Sequence, residues 1–240
     1  MSSPLLSLQY HFQKPFPYKY FKATNILIGI NVGAFLITIF FKAITGSHML
    51  MGILGLSYAG VVKFHMWWQF LTYFFIHDTT LIFHILFNML VLYLIGSTLE
   101  RQMGSIEFLV YYLTTGLCAG IFHFLIGAAA YAIKGDYEGM AMTPLIGASG
   151  AIFAIILAYG VYFPNTTLLL YGIIPIKAKN ALIIFTLIEL INLLPIGHSN
   201  VSNITHIGGL VAGIIYLRLR KNINAFKVIF PPKPKFDQWS

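Results

Sequence analysis

Long stretches of this sequence carry no charged side chain at all, and nothing else about it restricts the possible folds so sharply. Over its 240 residues only 9% are charged and 58% are hydrophobic, whereas soluble domains carry roughly a quarter charged residues. That surface could not be wetted, so lipid must solvate much of the chain. Lipid offers no partners to open backbone groups, and a helical span needs about 20 mainly apolar residues. The uncharged runs therefore predict six spans: 23–41, 79–99, one within 108–133, one near 145–163 ending at Phe163-Pro164-Asn165, one from about 180 to Leu194, and one from near Ile204 to Arg218. The expectation is an all-α polytopic bundle.

Residues 43–62 are also uncharged, but Gly46, Ser47, His48, Gly52, Gly55, Ser57 and Gly60 make a poor lipid-facing helix. The His65-Met66-Trp67-Trp68-Gln69 stretch that follows is typical of an interfacial aromatic belt. The segment 42–78 thus reads as a long loop on or partly in one leaflet. With six spans, all of the 15 Lys and Arg except Lys42, Lys63 and Lys134 fall on one side, among them Lys14, Arg101, Lys177, Arg218, Lys233 and Lys235. That bias predicts cytoplasmic termini. A seventh span would scatter it. The +8 net charge is then explained by anionic lipid headgroups and calls for no nucleic-acid partner. Residues 1–22 show no signal-peptide pattern and read as a cytoplasmic segment, 23–219 as the membrane domain, and 220–240 as a basic tail. Cys118, the one cysteine, reads as a packed small hydrophobe.

Polar side chains inside spans are costly and suggest function. His84 and Asn88 lie four apart, on one face of the second span. The fourth span opens with Gly147-Ala148-Ser149-Gly150, and the sixth with Thr205-His206. Given the directions of the spans, all four side chains sit at similar depth below the outer surface. Gly150, Ala154 and Ala158 form a narrow stripe on the fourth span; His206, Gly209 and Gly213 share a face of the sixth. Such small faces are where helices in lipid approach closely, which would bring His206 beside Ser149.

A serine hydroxyl is a weak nucleophile until a base removes its proton. His206 could take that proton and return it to a leaving amine. The Ser149 backbone N–H, at a helix start, and the Asn88 and His84 side chains could hold a developing oxyanion. Phe153, one turn after Ser149, could brace the imidazole by stacking. The sequence offers no suitably placed Asp or Glu to orient His206, so it predicts a Ser–His dyad rather than a triad. Each residue also has a plainer reading: helix packing for Ser149, a cavity lining for His206, and hydrogen bonds to each other or to a backbone carbonyl for His84 and Asn88. His77, His84, His198 and His206 lack a spacing that would fix a metal. Glu189, alone in the fifth span, reads as a cavity-facing or partnered carboxyl, with substrate gating as the alternative.

These residues are where the chain resembles the rhomboid family of intramembrane serine proteases. The pieces are His84-x-x-x-Asn88, Glu100-Arg101-x-x-Gly104, Gly147-Ala148-Ser149-Gly150 and His206-x-x-Gly209-x-x-x-Gly213, in order across residues 20–220. The resemblance implies a six-helix bundle with a membrane-embedded first loop. It also implies cleavage of single-span membrane proteins in or near their transmembrane segment, without metal or cofactor, with substrate entering beside the fifth span. The chain departs from the family at three points. Gln69 replaces the usual Arg of the first loop and removes a guanidinium from its anchoring. Thr205 replaces a small residue before the histidine, and Phe153 a frequent Tyr. Size and the bare six-span core point to a bacterial plasma membrane. Two alternatives stand beside this one: a rhomboid-like protein that binds membrane clients without cutting them, and a proton-coupled transporter, against which the lack of an inverted repeat argues.

Overall fold

The computed structural model describes residues 13–134, 143–170, 173–193 and 201–232; Leu194, His198, Lys233 and Lys235 lie outside the described residues. Helix α1 (Ala23–Thr45) is followed by three short helices, α2 (Met49–Leu54), α3 (Tyr58–Val62) and α4 (Gln69–Thr72). Helix α5 (Ile82–Val91) continues through a π-helical turn (Leu92–Gly96) into α6 (Ser97–Met103), and α7 (Ser105–Lys134) runs back. Then come α8 (Ser149–Tyr162), strands β1 (Thr167–Leu170) and β2 (Ile174–Lys177), α9 (Ala178–Asn192), α10 (Val201–Arg220) and α11 (Ala225–Ile229).

Three described stretches are long and apolar enough to cross a bilayer: Ala23–Thr45, Ile82–Met103 and Ser105–Ala129. The fourth expected span is shorter. At 14 residues, α8 reaches only about 21 Å against a hydrocarbon core of about 30 Å. It is the core of the molecule, with Gly150 through Val161 buried except for Phe153. Protein, not lipid, surrounds it. The chain entering α8 is therefore free to be irregular, because its backbone groups find partners in neighbouring loop segments. Leu145 and Leu56 exchange both bonds of an antiparallel bridge (2.7 and 2.9 Å), and the Gly147 N–H donates to the Tyr73 carbonyl (3.0 Å).

The all-α expectation is corrected by the antiparallel hairpin that pairs Thr167 with Lys177 through Leu170 with Ile174. After the helix stops at Phe163-Pro164, the β-branched and leucine-rich residues on either side pair with each other, and Lys177 leads directly into α9.

The first loop is anchored by Gln69, which is fully buried. Its Nε2 donates to the carbonyls of Gly52 (2.9 Å) and Ile53 (3.2 Å), and its Oε1 accepts from the Ser57 N–H (3.1 Å). An amide supplies both donor and acceptor, so a neutral side chain ties α2, α3 and α4 together.

At the end of the bundle where α1 begins, Glu100 caps that helix across a large sequence gap. Its carboxylate accepts from the N–H groups of Ala23 (2.6 Å) and Thr24 (2.9 Å), the Thr24 hydroxyl (2.7 Å) and the Ser105 hydroxyl. A helix start presents unpaired N–H groups and positive potential, which a carboxylate satisfies. Nearby, Glu107 at the start of α7 holds the end of α10. It receives Arg220 Nε and NH2 (3.2 and 3.3 Å) and the Tyr216 hydroxyl (2.6 Å).

Candidate active site

The opposite end of the bundle holds Ser149, His206, His84 and Asn88. Gly147 sets the approach to α8 with a φ of +114°, a conformation L side chains rarely adopt. A Cβ there would also lie 2.7 Å from His84 Nε2, so glycine is required for conformation and for space. Ser149 follows as the first residue of α8, where backbone N–H groups have no partner within the helix.

Helix α10 reaches α8 through the small residues. A Cβ on Gly209 would stand 2.0 Å from the Gly150 carbonyl oxygen, and one on Gly213 would stand 3.4 Å from the Ala154 Cβ. The two backbones thus touch where the small faces meet. One turn before Gly209, His206 projects beside the first turn of α8. Its ring stacks on Phe153, with centroids 4.3 Å apart and planes 14° from parallel.

One expectation is overturned here. A carboxylate does reach the histidine: Glu189 Oε2 lies 3.1 Å from His206 Nδ1. The ring N–H is not aligned on that oxygen for a hydrogen bond, and among the described residues His206 Nε2 has no hydrogen-bond partner either. The contact escapes sequence reasoning because it depends on which way α9 faces. That helix is apolar nearly all round, so its pattern does not reveal its inward face. The only available signal is a lone carboxylate in an apolar run.

His84 and Asn88 lie on the inward side of α5. The Asn88 amide donates to the His84 carbonyl (2.9 Å), which engages one of its two N–H groups and leaves the second. The His84 ring meets His77 edge-on at 5.3 Å. His77, in the loop before α5, is fully buried, and the Ala148 N–H points at its Nε2 in a long 3.5 Å contact. Burial first, and then the neighbouring His84, push the His77 pKa from 6.5 down to about 4. The imidazole is therefore neutral and can accept from the backbone entering α8. Sequence reasoning assigns it no such role.

All five polar groups line one cavity of about 480 Å³: His84, Asn88, Ser149, Glu189 and His206, with Leu81, Ile146, Phe153 and Phe185 among its apolar walls. Gly150, Gly209 and Gly213 lie behind it, in the packed seam. Thr205 faces away, with its hydroxyl 3.2 Å from His123 Nδ1. Chemically, the cavity offers a hydroxyl, an imidazole with an adjoining carboxylate, and amide and imidazole N–H donors, in a pocket with apolar walls. That set suits acyl transfer.

The profile of the Rhomboid domain matches residues 65–222. Over 144 residues the chain is 37% identical to "RHOMBOID-like protein 12, mitochondrial" of Arabidopsis thaliana, covering 58% of this chain and 43% of that protein. It is 32% identical over 151 residues to "Rhomboid protease GluP" of Bacillus subtilis (strain 168), covering 61% and 25%. It is 31% identical over 180 residues to "Rhomboid-like protein 15" of Arabidopsis thaliana, covering 72% and 41%. The matched region thus spans between a quarter and a little under half of these relatives' length.

Proposed function

This chain belongs to the rhomboid family, and on that premise we propose that it is an intramembrane serine endopeptidase, cutting single-span membrane proteins in or near their transmembrane segment. The reading is carried by one observation: a serine and a histidine from separate helices share a recessed cavity, and the imidazole is braced by an aromatic ring.

In the proposed reaction Ser149 Oγ attacks the scissile carbonyl carbon while its proton passes to His206 Nε2. The Ser149 N–H, the free Asn88 N–H and His84 hold the resulting oxyanion. On collapse, the C–N bond breaks and His206 gives its proton to the leaving amine. Water, deprotonated by His206, then attacks the acyl carbon; the ester C–O bond breaks and the proton returns to Ser149. Gly147, Gly150, Gly209 and Gly213 hold the backbones at the distances this needs. We further propose six spans, with residues 42–78 as an embedded first loop, flanked by segments 1–22 and 220–240 on the cytoplasmic side of a bacterial plasma membrane. No metal or cofactor enters any step.

The test reconstitutes the purified protein in liposomes with a tagged single-span substrate carrying small, helix-breaking residues. Wild type cuts it, and Ser149→Ala and His206→Ala do not. Undiminished cutting by Ser149→Ala would end the mechanism. Wild type that retains substrates of this kind uncut would favour the client-binding alternative.

A further inference from the structure

Among the described residues the cavity holds one carboxylate, Glu189, and it has no place in that mechanism. We infer that Glu189 positions His206, holding it in the Nδ1–H tautomer with Nε2 aimed at Ser149. This rests on the protease reading above and deepens it from a dyad to a supported dyad.

The observation is the 3.1 Å approach of Glu189 Oε2 to His206 Nδ1, with both side chains largely buried. On α9, Leu187, Ile188, Leu190 and Ile191 are exposed outward, as a lipid-facing helix requires, and Glu189 alone among them turns in. A carboxylate at this depth is costly unless a partner compensates it. The only ion-pair partner it has among the described residues is His206.

Two contacts then define the ring. Phe153 covers one face of the imidazole, which fixes its plane but leaves the ring free to turn within that plane and does not select a tautomer. Glu189 Oε2 stands 3.1 Å from Nδ1 but off the N–H direction; a small turn of the ring or the carboxylate lets it accept from a protonated Nδ1, and only from a protonated one, which is what would fix the remaining freedom. The opposite nitrogen, Nε2, is then bare, as a general base must be. When it takes the serine proton, the adjacent negative charge stabilises the imidazolium. The other titratable groups around His206 do not compete for this role. His84 shares the cavity and is near enough to His206 to interact with it electrostatically, but an imidazole supplies no negative charge to Nδ1. His123 on α7 engages Thr205, and Glu107 is bound to Arg220 at the far end of α10.

The experiment follows Ser149 directly with a fluorophosphonate probe that labels activated serines, so no protein substrate has to be known. Labelling rate is measured at neutral pH in detergent for wild type and for Glu189→Gln, Glu189→Leu, Glu189→Asp and Ser149→Ala. The Gln and Leu variants are expected to label about 10²-fold more slowly, the low end of what an oriented base contributes. Glu189→Asp, which keeps a carboxylate, should recover part of the rate. Wild-type rates in the Gln and Leu variants, with Ser149→Ala unlabelled, would overturn the positioning role and leave the protease reading intact. Labelling that persists in Ser149→Ala would defeat the protease reading itself. An independent readout uses only the native side chain: ¹⁵N-histidine NMR of wild type at neutral pH, with the His206 signals identified by their loss in His206→Ala. A protonated Nδ1 and bare Nε2 are expected; the reverse tautomer would overturn the inference.

Discussion

His77 shows how much of the site depends on a residue outside the proposed chemistry. It is fully buried near the end of the first loop, just before α5, and its folded-state pKa is pushed down from 6.5 to about 4. The folded state therefore favours the neutral ring, and the unfolded chain binds the proton first. Stability is complete above pH 6.5 and is lost as pH falls from 6.5 toward 4, by about 3 kcal/mol for a shift of this size. Thermal unfolding in detergent, followed between pH 7.5 and 4, should show the midpoint falling steeply across that window in wild type. In His77→Asn, which keeps an acceptor but does not titrate, the fall should be much shallower. Equal slopes in the two proteins would place the acid sensitivity elsewhere. Because the ring also faces the Ala148 N–H, its protonation would disturb the entry to α8 before the protein unfolds as a whole.

The seam between α8 and α10 is the element on which the geometry turns. The Gly209 position leaves 2.0 Å between a would-be Cβ and the Gly150 carbonyl oxygen, and a backbone atom has nowhere to move. Gly209→Ala must push the helices apart and carry His206 away from Ser149. Misplacement by an ångström is enough to cost about 10²-fold in rate. Gly127 on α7 has nothing within 4 Å of the place a Cβ would occupy. Gly127→Ala should therefore keep full activity and unfold no earlier than wild type, while Gly209→Ala loses about 10²-fold in substrate cleavage and unfolds several degrees lower. Equal activity in the two variants would show that the seam yields. This seam was legible in the sequence, because small residues at helical spacing on two apolar segments mark the faces where backbones can meet. The length of α8 was not. An uncharged run marks where charge is excluded, and it does not distinguish lipid from surrounding protein, so a buried 14-residue helix reads like a full span. The hairpin after it was hidden for the same reason. Gln69 and Glu189 were visible as oddities, but their roles depend on which way a loop and an apolar helix turn, and that is set by tertiary packing.

At the scale of the whole molecule, the two ends of the bundle are built differently. One end is stitched by ionised groups: Glu100 on the start of α1, and Glu107 with Arg220, Tyr216 and, at 3.9 Å, Lys221. The other carries a cavity lined by a hydroxyl, an amide, two imidazoles and the Glu189 carboxylate, below an aromatic loop with exposed Trp67 and Trp68. Stitching by charge suits a water-facing rim that bears most of the Lys and Arg, and the proposed topology puts that rim in the cytoplasm. Single cysteines introduced into a Cys118→Ala background test this assignment. Ser47 and Lys227 are both accessible and sit beyond opposite ends of the apolar helices. In intact cells, a membrane-impermeant maleimide should label Ser47→Cys at once and Lys227→Cys only after permeabilisation. Labelling of both from outside would place the two rims on one face and break the six-span arrangement. The reverse pattern would turn the molecule over, opening the Ser149 cavity toward the cytoplasm and restricting substrates to segments presented from that side.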